Sequence, residues 1–74
     1  MKPRDLQDLL IDLLEGAMSA RDDPDDPLAD FADRTDGIDR VSSYRDEDML
    51  TYDAGFVVRM KPGTEYAVTI IRNR

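Results

Sequence analysis

The chain has 74 residues, and its 17 acidic residues outnumber its 10 basic residues, which gives a net charge of −7. It contains neither cysteine nor histidine. This excludes disulfide bonds and thiolate metal sites, and it removes the side chain that most often titrates near neutral pH. A chain of this length predicts one domain, residues 1–74, that buries only ~60% of the surface its unfolded form exposes. Its margin of stability is therefore small, and association with a second copy is a fair expectation.

The charge is distributed unevenly along the chain. Residues 1–53 hold 16 acids and 6 bases, whereas residues 54–74 hold one acid and four bases. An acidic body repels nucleic-acid phosphates and anionic membranes. We therefore expect a protein partner with a basic surface and no direct binding to nucleic acid. The four C-terminal bases are expected to protect a sheet edge or to pair with the acidic region.

The sequence predicts no membrane segment. No run approaches the ~18 consecutive apolar residues that a spanning helix requires. The chain begins with two basic residues among its first four, but Asp8 and Asp12 interrupt the apolar run that follows, which argues against a signal peptide. We therefore expect a cytoplasmic protein with no membrane partner.

Residues 3–20 predict an amphipathic helix. Apolar side chains recur at the three- and four-residue spacings of a helical stripe, at positions 6, 9, 10, 13, 14, 17 and 18. Pro3 suits the first helical position, where its missing N–H costs nothing. Gln7 falls away from the apolar stripe. Asp23 precedes Pro24, which disfavours helical geometry, so the helix must end before this point.

Residues 21–39 form an acidic connector in which eight aspartates dominate. Two prolines and the density of like charge favour an extended or disordered beginning. A short helical turn is predicted further along, with Asp26 as its cap, Pro27 at its first position, and Leu28 and Phe31 on one face. Phe31 is the side chain expected to tie the connector to the core.

Residues 40–74 predict an antiparallel β region. The segments 56–60 and 66–71 are rich in β-branched and aromatic residues, and Pro62 and Gly63 are typical of the turn that would join them as a hairpin. The fold class is therefore α+β: one N-terminal amphipathic helix packed on a small, about three-stranded antiparallel sheet. The three strands are predicted near 40–44, 55–60 and 65–72.

Alternation of side chains assigns the two faces of this sheet. The even-numbered residues of the last two strands, from Phe56 to Ile70, should form the face that the helix covers. Leu10, Leu13 and Val68 are the predicted core positions whose truncation would cost most. The other face carries apolar residues that no second helix covers. It is the candidate dimer face, made of Val57, Ala67 and Ile71.

Catalysis and a structural metal are not expected. A serine nucleophile has no imidazole to accept its proton, and a carboxylate pair needs a cleft with distinct environments for acid and base. An EF-hand loop begun at Asp30 would place Ala32 and Arg34 at ligand positions. The aspartates of residues 22–26 could hold Ca²⁺ loosely, but a solvated loop is favoured. We therefore predict a protein that is not an enzyme and has no cofactor.

The acidic segments are the candidate recognition surface. Over residues 22–53, 12 acids accompany three bases. Carboxylates at this density can imitate the spacing of nucleic-acid phosphates, as a DNA mimic does, and occupy a partner's Lys and Arg. The alternative is that the charge serves solubility, and charge alone does not separate the two. The candidate partner-binding residues are Asp22, Asp23, Asp25, Asp26, Asp30, Asp33, Asp46, Glu47 and Asp48.

In overall type, the chain resembles the small phage- or prophage-encoded inhibitors, especially the anti-CRISPR proteins. The resemblance spans the whole length and rests on a short, acidic, cysteine-free chain with one helix and a small sheet that ends in Phe56–Ile71. It implies a viral protein that acts in the host cytoplasm and blocks a CRISPR effector complex by binding it, in some cases at the DNA-binding surface. No shared motif transfers an individual residue. The alternative is a self-associating prophage accessory protein or a small bacterial regulator.

Overall fold

One helix packed on an open antiparallel sheet makes up the fold, which is seen in a computed structural model that describes residues 1–48 and 52–73. The predicted α+β class is confirmed. Helix α1 spans Pro3–Ser19 and begins where Pro3 predicted, with the Asp5 carboxylate accepting the Lys2 backbone N–H at 3.0 Å. A single 3₁₀ turn, Ala20–Asp22, then ends the helical stretch before Pro24, as the restriction on a residue that precedes proline requires.

The sheet has the strand order β1–β2–β3, with both pairs antiparallel. Val41 pairs with Val58 across the first ladder, and Phe56 pairs with Val68 across the second. The predicted hairpin between the last two strands is therefore confirmed. The strand bounds are β1 Ile38–Ser43, β2 Ala54–Met60 and β3 Glu65–Ile70.

The two outer strands have different edges. A register shift between Ile38 and Arg40 makes a bulge in β1, and a bulge of this kind disrupts further pairing. The other outer edge belongs to β3, and its state follows from the direction of the backbone groups in β2. The Tyr44 N–H donates to the Gly55 carbonyl oxygen at 3.0 Å, so this carbonyl group of Gly55 points towards β1. Because this direction alternates along an antiparallel strand, the backbone groups of Phe56 point towards β3, where Phe56 pairs with Val68. The odd-numbered residues of β3, among them Ala67, consequently direct their backbone groups away from the sheet.

The core lies between α1 and the first two strands. Ile38, Val41 and Phe56 are its buried centre, and partly buried side chains of α1 and β2 pack around them. A helix is ~10–12 Å across and neighbouring strands are ~4.8 Å apart, so one helix covers about two strands well. Helix α1 lies over β1 and β2, so Val68 on β3 remains 39% exposed. Leu13 on α1 itself is 47% exposed. The prediction that Val68 and Leu13 belong to the core is wrong.

Gln7 lies inside this interface although it falls off the apolar stripe. Its side chain is buried, and its Oε1 accepts the Gly55 backbone N–H at 2.9 Å. Its Nε2 donates to the Asp8 carboxylate at 3.1 Å. Because Gly55 N–H is a buried donor, leaving it unpaired would cost ~1–3 kcal/mol. The amide therefore stabilises the contact between α1 and the sheet where a leucine would leave the donor unsatisfied.

Candidate protein-interaction surfaces

The acidic connector is folded, and its helical turns contact α1, in contrast to the extended or disordered beginning that its composition favoured. It contains a short helix α2, Ala29–Ala32, followed by a 3₁₀ turn, Asp33–Thr35. The Arg21 guanidinium donates to the hydroxyl and the carbonyl oxygen of Thr35, and to the carbonyl oxygen of Ile38 at 3.1 Å. Thr35 is buried, and its hydroxyl donates to the Ala32 carbonyl oxygen at 2.7 Å. Arg21 thus joins both ends of the connector.

The candidate carboxylates of the connector divide into two groups. Asp23 accepts the Asp25 backbone N–H at 3.1 Å, and Asp26 accepts the Leu28 backbone N–H at 2.8 Å. These two side chains therefore stabilise local turns. The prediction that Asp26 caps the short helix and Pro27 occupies its first position is wrong, because α2 begins at Ala29 with Leu28 as its N-cap residue and no side-chain cap. The second group is exposed, and its side chains have no hydrogen-bond or ion-pair partner among residues 1–48 and 52–73. Its members are Asp22, Asp25, Asp30 and Asp33.

The second candidate acidic segment, residues 46–48, lies at the opposite end of β1. The connector leads into Ile38, whereas this segment follows Ser43, and the two ends of the strand are separated by ~17–20 Å. Glu47 forms an ion pair with Arg40 at 3.0 Å, whereas Asp46 and Asp48 are exposed. The structure therefore does not bring the nine candidate carboxylates into one cluster.

The candidate dimer face is only partly exposed. Val57 is 6% exposed, whereas Ala67 and Ile71 are exposed. Val57 belongs to the central strand, which has a neighbour on each side, and Tyr44 lies over Gly55 two residues away on the same face. The description of Val57 as part of an uncovered patch is therefore wrong. The exposed large apolar side chains of the sheet region lie instead on β3 and on the residue that follows it: Tyr66, Val68 and Ile71.

Strand β3 is exposed on both faces. Its even-numbered side chains Tyr66 and Val68 lie beyond the reach of α1, and Ala67 on the opposite face is also exposed. Residues 66–71 contain no charged side chain. Apart from Glu65 at its start, β3 is therefore uncharged, and such a strand with an unpaired backbone edge is a template for pairing with another chain.

An apolar groove runs between α1 and the connector. It has a volume of about 320 Å³ and is lined by Leu10, Leu13, Leu14 and Ala17 from α1, by Leu28, Phe31, Arg34 and Thr35 from the connector, and by Ile38. Phe31 was expected to act as a plug into the core, but half of it remains exposed at the rim. The Arg34 guanidinium lies over its ring, 5.8 Å from the centroid.

The carboxylates of the described residues are dispersed. No group of three or more of them converges closely enough to hold a metal ion within residues 1–48 and 52–73. No helix in this part of the chain is both long and apolar enough to cross a membrane.

Two features of the connector and sheet were missed by the sequence analysis. Arg21 was treated only as one of the six bases of residues 1–53. It follows the end of the apolar stripe, and its guanidinium donates to the hydroxyl of the buried Thr35, 14 residues further along the chain. Tyr44 is buried, and its hydroxyl makes a 2.6 Å hydrogen bond with the Thr69 hydroxyl across the sheet. A tyrosine at the end of a predicted strand and a glycine at the start of its neighbour are the signals that could have indicated this packing.

The fold and these surfaces define a small α+β protein with an acidic, ordered connector beside an apolar groove. No protein-family model, curated protein or solved structure matches the chain.

Proposed function

We propose that the protein is a non-catalytic binding protein that engages a basic surface on a protein partner. In its specific form, the proposal is an inhibitor that blocks a host nucleic-acid-binding complex, such as a CRISPR effector complex, in the host cytoplasm. The observation that supports it is the set of exposed, unpartnered carboxylates on the connector: Asp22, Asp25, Asp30 and Asp33.

The order of the connector matters because a fixed array of charges loses little conformational entropy when it binds. Arg21 and the two turn-forming aspartates hold the connector in place, so the remaining carboxylates are presented on a folded frame. Long-range attraction from such an array raises the association rate more than it lengthens the residence time. Its contribution fades as added salt shortens the Debye length from ~10 Å at 0.1 M to ~3 Å at 1 M.

The test is displacement of labelled target DNA from a panel of purified CRISPR effector complexes, followed by fluorescence anisotropy at two salt concentrations. We expect the protein to displace DNA from at least one complex. The double charge reversal Asp22→Lys and Asp25→Lys should weaken this several-fold and flatten its salt dependence. The matched control is Asp12→Lys with Glu15→Lys, which changes the net charge equally on exposed positions of α1.

Retention of DNA by every complex in the panel would contradict the inhibitor role. An equal loss for the connector variant and the α1 variant would instead show that only the net charge matters, and the connector would not be the binding surface.

Self-association is the second candidate function, and the open β3 edge favours it. In this reading the chain is a prophage accessory or regulatory module whose exposed strand pairs with another copy, and the acidic surface keeps the dimer soluble. The two functions differ in what they require, since a dimer forms in the absence of any basic partner.

A further inference from the structure

We propose that the groove between α1 and the connector receives the apolar face of a basic amphipathic helix. This inference rests on the proposed function and names the segment of the partner that would make the contact. Three observations lead to it: the apolar lining of the groove, its position between two helical elements, and the charge of the connector residues beside it.

The lining selects an apolar occupant. Leu13 of α1 and Phe31 of the connector both line the groove, and about half of each side chain is exposed. Outside the lining, Leu9 adds exposed apolar surface on α1. Large apolar side chains left this exposed on two neighbouring elements gain free energy when they are removed from water, about 25 cal/mol per Å². The groove is therefore a surface that contact with apolar side chains would stabilise.

The size of the groove admits either a small molecule or the side chains of a helix, and its position favours the helix. A volume of about 320 Å³ lies at the lower end of the ~300–1,000 Å³ that small-molecule sites occupy. The groove also lies between two helical elements, α1 and α2. An amphipathic helix fills such grooves with side chains spaced three or four residues apart.

The charge of the connector residues beside the groove favours a basic occupant. Residues 22–33 contain six aspartates and no basic residue, and Asp30 and Asp33 are exposed on the stretch that includes Phe31. Of the two flanking arginines, Arg21 donates its hydrogen bonds inward to Thr35 and Ile38. The other, Arg34, lies over the Phe31 ring. Arg34 itself lines the groove, but the aspartates of the connector beside the groove outnumber it. An anionic ligand would be repelled by these carboxylates, whereas Lys and Arg beside an apolar stripe would complement them.

The test uses three synthetic peptides of ~18 residues, long enough to form a helix. The first carries Leu on one helical face and Lys elsewhere, the second scrambles the same composition so that the Leu residues share no face, and the third replaces Lys by Glu. We expect the first to bind with at least about tenfold higher affinity than the second, and the third not to bind. Amide chemical shifts should change around Leu13, Leu28 and Phe31.

Substitutions then separate the apolar contact from the charge. Phe31→Gln should weaken binding of the Leu/Lys peptide about tenfold, which is ~1.4 kcal/mol, whereas the matched control Tyr66→Gln, an exposed aromatic on β3, should leave it unchanged. Asp30→Asn with Asp33→Asn should weaken binding several-fold and reduce its salt dependence. The matched pair Asp46→Asn with Asp48→Asn, at the other end of β1, should have little effect. Circular dichroism would verify that each variant is folded.

The outcomes distinguish the groove from the proposed function. Equal binding of the scrambled peptide, or full binding by Phe31→Gln with a loss only for the Asp30 and Asp33 pair, would refute the groove and leave an electrostatic binding surface intact. Binding of a neutral apolar dye in the groove without binding of the Leu/Lys peptide would also overturn the inference, in favour of a small-molecule site. If the groove variant and the charge variants all bound the partner as tightly as the parent protein, both proposals would be refuted.

Discussion

At the residue scale, two of the glycines are positions where another element comes close. A Cβ atom at Gly55 would overlap the Tyr44 ring and the Val68 carbonyl oxygen, which belongs to the backbone of the neighbouring strand. At Gly16 in α1, a Cβ atom would lie 2.8 Å from Cδ1 of Leu28, the mobile end of a side chain. The same substitution therefore meets a rigid obstacle at Gly55 and a yielding one at Gly16.

We predict that Gly55→Ala lowers the free energy of unfolding by at least ~1–3 kcal/mol, the usual cost of forcing extra atoms into a packed site. Gly16→Ala should fall near zero, because the ~1 kcal/mol gained in helix propensity offsets the shift of Leu28. Urea denaturation followed by circular dichroism measures both. Equal stability of the Gly55 variant and the parent protein would contradict the close packing of Tyr44 over Gly55.

At the scale of the elements, the position of α1 decides which strand stabilises the fold. Phe56 and Val68 are cross-strand partners on the same face, yet Phe56 is buried in the centre of the core while Val68 is 39% exposed. The difference arises because α1 lies over β1 and β2, and its width does not extend over β3.

We predict that Phe56→Ala costs ~3–5 kcal/mol. Val68→Ala should cost less than ~1 kcal/mol, because most surface substitutions have small effects. A domain of this length has a total stability of only ~4–11 kcal/mol, so the first variant is expected to lose a large fraction of it, as measured by urea denaturation followed by circular dichroism. A comparable loss of stability in both variants would mean that β3 is covered as fully as β2.

At the scale of the whole molecule, the fold is thin. Its smallest principal extent is 18 Å, which corresponds to one helix layer on one sheet layer. No large side chain of the described residues is less than 2% exposed. So shallow a core leaves a small margin of stability, and it leaves apolar surface on β3 and in the groove that association would bury.

We predict that the chain forms a dimer through β3 at high micromolar concentration, with twice the chain mass of 8.4 kDa in sedimentation equilibrium. Ala67→Asp should shift the equilibrium to the monomer, because a charge on an exposed edge strand opposes pairing. The control Thr64→Asp places the same charge in the turn just before β3. Val57→Asp is not an informative variant, since Val57 is buried and the substitution would destabilise the fold.

A monomeric mass for the parent protein at these concentrations would exclude self-association as its function and leave the open edge of β3 for another protein. An identical dimer in the parent and in Ala67→Asp would place the dimer contact elsewhere on the molecule.

The sequence by itself determined the types and approximate bounds of the elements, because hydrophobic period, proline position and turn composition act locally. The start of α1, the β2–β3 hairpin and the α+β class followed from these patterns. The sequence also indicated that the acidic connector is a candidate site, because charge follows directly from composition.

Only the tertiary structure decided where these elements meet. Local periodicity cannot specify that α1 covers β1 and β2, so it assigned Val68 and Leu13 to the core and Val57 to the surface. A sequence pattern also ranks side chains by polarity, so it could not indicate that Arg21 orders the connector. The groove beside Phe31 depends on long-range contacts of the same kind: its walls come from α1 and the connector, and the hydrogen bonds of Arg21 to Thr35 and Ile38 help to hold these segments together.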